Sequence, residues 1–285
     1  MAMVSKMRKL NWTYRLAVCL VAIGLALGGC QTNQSSSGFS PKANIDSLTS
    51  VVKNNPRDAD ALNLRGVAFT KYRRYKDAIN DFNAALTLKP NFYQAISNRG
   101  LAYMKKGDAK TAQADFNRVI SMAPTYPVAY VNRGRLYREV GSYDSALSDF
   151  NRAVSLDSSY ALAYHYRGLV RQAKNQHPRA IKDFTSAISL KAGQTQPIFA
   201  RAESFLATGD YRAASDDFSN IIDIRPNSPE AFFGRANANE ARGRWQAAVN
   251  DYDSTLKLNP RHRTARKART RAFAEYLRQS KTAGK

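Results

Sequence analysis

The chemistry-bearing residues of this chain fall into one periodic set and a few singletons. Arginine is followed sixteen residues later by aspartate six times: Arg65 and Asp81, Arg99 and Asp115, Arg133 and Asp149, Arg167 and Asp183, Arg201 and Asp217, Arg235 and Asp251. A guanidinium and a carboxylate can close a bidentate ion pair. A catalytic pair has no reason to be copied six times, so the expected role is structural. It would be an ion pair between the two helices of one unit, or between a helix and the neighbouring unit, that specifies register. The singletons carry less. Ser50 and Lys53 have the spacing of a nucleophile and its general base, but no Ser-Asp-Asn or Lys-Thr-Gly partner follows, and both sit on an amphipathic stretch. His165, His177 and His262 are scattered without metal-site spacing. With no phosphate-cradling glycine loop and no nucleophile elbow, the expectation is a non-enzyme with no catalytic residue, metal or cofactor.

The elements that must position these residues repeat every 34 residues. Arg65-Gly66 returns as Arg99-Gly100, Arg133-Gly134 and Arg167-Gly168, then as Arg201-Ala202 and Arg235-Ala236. An alanine follows each Arg by thirteen residues, from Ala78 to Ala248, and an aromatic follows each Asp, from Phe82 to Tyr252. Within a unit the apolar residues Leu62, Phe69, Ala78, Ile79, Phe82 and Leu86 fall at helical spacing. Two helices of about a dozen residues are predicted, separated by a turn where Gly107, Gly141, Gly209 and Gly243 can take the left-handed conformation that stops a helix. Pro90, Pro124, Pro226 and Pro260 stop the second helix, because proline lacks the amide proton that would continue the ladder. Glycine inside the first helix costs about 1 kcal/mol against alanine, so packing must demand it. The expected partner is the small alanine of the second helix.

This period and these columns resemble the tetratricopeptide repeat over residues 59–262. The resemblance implies an all-α fold, a right-handed α-solenoid of stacked helix-turn-helix units at 59–92, 93–126, 127–160, 161–194, 195–228 and 229–262. A degenerate leading half-repeat at 44–58 and a basic cap helix with a tail at 263–285 would close the ends. The chain departs from the family in carrying Arg, not Leu, before the glycine column. Its fourth unit is the weakest, with Asn175, His177 and Pro178 at the turn, Arg171 in place of an aromatic and no stop proline in register. A bend or looser interface is expected at 191–197.

Residues 1–29 have the character of an export signal: Lys6, Arg8, Lys9 and Arg15 with no acidic residue, then an apolar run from Leu16 to Leu27. The run is too short to span a membrane, where about twenty residues are needed. Leu27-Gly28-Gly29-Cys30 resembles the lipobox of bacterial lipoproteins, which implies cleavage and acylation at Cys30, palmitate included. Gln31 after the cysteine implies sorting to the cell outer membrane, with the body facing the periplasm. Residues 30–43 are Gln, Ser, Gly and Asn-rich and are expected to be a flexible tether. The chain carries a net charge of +22, and loss of the signal leaves +18, an excess that attracts polyanions.

Binding is the expected activity. The family's inner-face positions fall on Val128, Val131, Arg135, Leu162, His165, Leu169, Phe199, Leu206 and Phe233, an apolar run of the kind that marks partner sites. The resemblance implies that peptides or helices of envelope proteins dock there, as in adaptor lipoproteins that gather proteases and wall hydrolases. The alternative is a pilus or secretion assembly lipoprotein of the pilotin or Tad type. A third possibility uses the basic tail, with Arg261, Arg263, Arg266, Lys267, Arg269 and Arg271, to hold an anionic envelope polymer or lipid. Nucleic acid is disfavoured by the export signal and by the lack of a base-reading motif.

Overall fold

A computed structural model of the chain describes residues 41–283. The predicted signal, Cys30 and residues 30–40 of the tether lie outside the described residues. Among the described residues there are fourteen helices and no strand. Helix α1 spans Pro41–Asn54. Six pairs follow: α2 and α3 (Ala59–Lys71, Tyr75–Leu88), α4 and α5 (Tyr93–Lys106, Ala109–Met122), α6 and α7 (Pro127–Glu139, Tyr143–Leu156). Then come α8 and α9 (Ala161–Ala173, His177–Leu190), α10 and α11 (Thr195–Thr208, Tyr211–Ile224), and α12 and α13 (Pro229–Ala241, Trp245–Leu258). Helix α14, Arg263–Ala283, closes the array. Each helix packs on its predecessor and successor, which makes the stacked solenoid that the period demands. Helix α1 starts three residues inside the predicted tether, since proline is well suited to a first helical turn.

The turn between paired helices sits at one register position. Gly107, Gly141, Gly209 and Gly243 have φ of 93°, 79°, 81° and 68°, while Arg73 (63°) and Asn175 (56°) fill the same place in the first and fourth units. Side chains of Asp58, Asp108, Asp210 and Ser228 accept amide protons at the starts of α2, α5, α11 and α12, satisfying donors that a helix start leaves free.

The core is a column of aromatic rings. Phe82, Phe116, Phe150, Phe184, Phe218 and Tyr252 are at most 1% exposed, each contributing about 1.5–3 kcal/mol by burial. Here the packing differs from the sequence expectation, because the glycine column answers the ring and not the alanine. A Cβ at Gly66, Gly100, Gly134 or Gly168 would stand 2.6–2.8 Å from Phe82, Phe116, Phe150 or Phe184. In the fifth unit Ala202 replaces that glycine, and the Phe218 ring lies instead against Gly234 of the next unit.

The looser interface expected at 191–197 is not found. The α9–α10 contact is more extensive than that of α5 with α6. Gly193 turns the chain at φ 78°, and Pro197 takes the buried position held by alanine in the other units. Proline is tolerated there because a first-turn amide needs no helical acceptor.

Candidate functional site

The Arg and Asp columns meet within each unit. Arg65, Arg99, Arg133, Arg201 and Arg235 donate from Nε and Nη2 to both carboxylate oxygens of Asp81, Asp115, Asp149, Asp217 and Asp251 at 2.6–3.0 Å. Arg167 holds Asp183 likewise at 2.7–3.2 Å, and Arg171 adds a second guanidinium at 2.8 Å. The remaining Nη1 group reaches the preceding unit: Arg99 to Asn83, Arg133 to Asn117, Arg167 to Asn151, Arg201 to Thr185 and Arg235 to Ser219, at 2.7–3.1 Å. One side chain thus pins both the pair and the stack. The polar column that receives it follows the core aromatic by one residue, so it too has the period of the scaffold. The hydrogen bond it donates to Asp81 is the main reason the Arg65 guanidinium is held above its ordinary range, with burial opposing; Asp115 and Asp149 do the same for Arg99 and Arg133. Arg171 is shifted the other way, chiefly by burial.

The nine groove candidates do not form one exposed run. Val131 is fully buried, because Ala146 and Phe150 of the paired helix and Val170 of the following unit pack around it. Val128 and Leu162 are half-buried. Arg135 stacks on Tyr166 at 4.9 Å, and Leu206 packs into the core around Phe218. Phe233 lies 5.9 Å from Tyr252 and 4.6 Å from His262, whose Nδ1 accepts the Ala265 amide at the start of α14. The Tyr252 hydroxyl in turn reaches Asn237 and Glu240.

His165, Leu169 and Phe199 do come together. They line a hollow of about 420 Å³ between α8 and α10, completed by Glu203 and by Ile221 and Arg225 at the end of α11. Phe199 is braced edge-on by Phe218 at 5.5 Å, and His165 by Phe184 at 6.0 Å. Burial, helped by the nearby Arg138 charge, lowers the His165 pKa to about 4, so the imidazole is neutral near pH 7. Its Nδ1 is buried without a hydrogen-bond partner. Burial also pushes the Glu203 carboxyl up, opposed by Gln172. The hollow can therefore take an apolar side chain on Phe199 and Leu169 while its rim offers hydrogen bonds. Ile221 and Arg225 were not foreseen, since they come from a second helix.

The basic tail is partly engaged. Arg269 holds Asp253 at 3.0 Å, Arg271 holds Glu240 at 2.7 Å, and Arg266 donates to the Pro260 carbonyl at 2.7 Å. Arg261, Arg263 and Lys267 form no ion pair among the described residues.

Family models described as tetratricopeptide repeat match residues 59–92, 93–126 and 199–263, and one described as TPR repeat matches 134–175. No curated protein sequence matches the chain. Among solved structures, Cut9–Hcn1 of the APC/C is similar over 82% of this chain at 16% identity and TM-score 0.68, and this chain spans 46% of that one. Pseudomonas aeruginosa PilF is similar over 78% of this chain and 100% of its own at 15% identity and TM-score 0.66. PilW, a widely conserved type IV pilus biogenesis factor, is similar over 73% of this chain and 97% of its own at 16% identity and TM-score 0.66. Repeat models matched along most of the solenoid, two of them coinciding with the helix pairs α2–α3 and α4–α5, identify the chain as a tetratricopeptide-repeat protein.

Proposed function

We propose that this chain is a non-catalytic scaffold, anchored through acylated Cys30 to the outer membrane and facing the periplasm, that holds a segment of an envelope protein against units four to six. Tetratricopeptide-repeat proteins mediate protein–protein interactions, and peptides or proteins bind in their groove. The observation that carries the reading is the hollow at His165, Leu169 and Phe199, an apolar recess with a hydrogen-bonding rim and no catalytic constellation. A photo-crosslinker at Phe199 is expected to capture a partner from the intact envelope, and Leu169→Arg to abolish the adduct. A crosslinker at Phe199 that captures nothing defeats the docking reading, and a Cys30→Ala chain that still fractionates with the outer membrane defeats the anchor.

The leading identity of the partner is a periplasmic protease or wall hydrolase, which the chain would serve as adaptor. A second reading, pilus or secretion assembly, is favoured by the fact that PilF and PilW align over nearly their whole length. Mass spectrometry of the Phe199 adduct separates the two: hydrolases or proteases support the adaptor, secretin or pilus subunits the assembly factor.

A further inference from the structure

The second helix of one unit packs on the first helix of the next, and one register position on each of these helices recurs along the array. The residues at these positions are Ile79 and Tyr103, Gln113 and Tyr137, Leu147 and Arg171, Ile181 and Phe205, and Val249 and Phe273. The contact is visible where Gln113 donates to the Tyr137 hydroxyl at 3.2 Å and where Ile79 and Tyr103 share one apolar cluster. At the junction of α11 and α12 the pair is Ser215 and Asn239, both small and polar. Where Ile79 with Tyr103 and Gln113 with Tyr137 plug the first two junctions, a cleft of about 710 Å³ opens here, and four arginines line it: Arg212, Arg235, Arg242 and Arg244.

The charges in this cleft do not cancel. Arg235 is consumed by Asp251 at 2.7 Å and Ser219 at 3.1 Å, and Asn239 also donates to Asp251 at 3.2 Å. Arg212, Arg242 and Arg244 form no ion pair or side-chain hydrogen bond among the described residues, and Asp216 is the one further carboxylate in the lining. The balance is two positive charges. A guanidinium fork matches a carboxylate or a phosphate, and one carboxylate is satisfied by one fork. Three free forks with a net charge of two match a phosphate monoester, which has three peripheral oxygens and carries about −1.5 to −2 at neutral pH. The side chains of Ser215 and Asn250 add neutral donors.

We propose that this cleft is a binding site for a phosphate-bearing ligand, held by Arg212, Arg242 and Arg244. It shares no lining residue with the hollow at Phe199. The ladder arginine and the hollow residue of one first helix, Arg201 and Phe199, are two residues apart, about 200° around the axis. The two sites can therefore be occupied together, and the proposal stands independently of the docking reading.

The test titrates the full chain with inorganic phosphate by calorimetry, and with phosphatidylcholine vesicles with and without phosphatidic acid by co-sedimentation. Arg242→Gln/Arg244→Gln is expected to weaken binding tenfold or more. Lys76→Gln/Lys110→Gln removes the same charge from the Arg212 register position in other units and is expected to change it less than twofold. Ser215→Ile/Asn239→Tyr keeps every charge but restores the plug, and is expected to abolish binding while the melting temperature holds or rises. Binding of free phosphate assigns a soluble ligand; binding of phosphatidic acid vesicles alone assigns a lipid headgroup. Equal losses in the arginine and lysine variants, equal affinity for acetate, full binding by the plugged variant, or no binding of either probe by the unaltered chain overturns the proposal.

Discussion

At the scale of the residue, the ladder arginine of each unit holds a buried carboxylate, and in every unit but the fourth, where Arg171 also reaches Asp183, its loss leaves that carboxylate without the counter-charge that holds it. Arg133→Met strands Asp149, which is 4% exposed, and is expected to cost about 3–5 kcal/mol in urea unfolding. Arg133→Met/Asp149→Leu should recover most of that, because removing both charges removes the desolvation penalty with the attraction. His165 supplies a second prediction. Its folded pKa near 4 lies below the ordinary 6.5, so between those values the unfolded chain takes up a proton that the folded chain refuses. Stability is therefore full above pH 6.5 and declines as the pH falls toward 4. His165→Gln should flatten that part of the pH profile of the melting temperature, and an unchanged profile would show that another group causes the decline.

At the scale of the element, the turns and the glycine column make distinct demands. Arg73 holds the left-handed position that glycine fills in four other units, so Arg73→Gly should stabilise by roughly 0.5–1 kcal/mol in thermal melts. The α11–α12 contact is more sensitive. Phe218 leans on Gly234 because Ala202 occupies the space its own unit would offer. Gly234→Ala is expected to cost about 1–3 kcal/mol by overpacking. Ala202→Gly in the same chain should restore much of it by letting the ring return to the arrangement of the first four units. Additive effects of the two substitutions would disprove this coupling.

For the whole molecule, stability is a sum of units and interfaces rather than the property of one core. Excision of residues 127–160 removes one unit without a frame shift in the ladder, since Arg167 then faces Asn117 where it now faces Asn151. The shortened chain is expected to fold with unchanged helicity per residue by circular dichroism. Its urea m-value should fall in proportion to the surface removed. A collapse of helicity would mean that the units depend on more than their neighbours.

What the sequence determined by itself is whatever a few neighbouring residues decide. The 34-residue period, the two helices per unit, the left-handed stop at Gly107 and the proline stop at Pro90 depend on backbone hydrogen bonds and dihedrals within a turn or two of chain. The Arg and Asp columns were visible for the same reason, as their period is that of the scaffold. Tertiary structure alone decided which atoms those columns meet. Val131 and Phe199 occupy the same register position, yet one is sealed in the core and the other lines a hollow, because the residues opposite them belong to other helices. Gly134 packs on Phe150 sixteen residues away, and Ile221 and Arg225 reach the hollow from a second helix. Filling of space is a sum over side chains distant in sequence, and no local pattern records whether that sum leaves a gap.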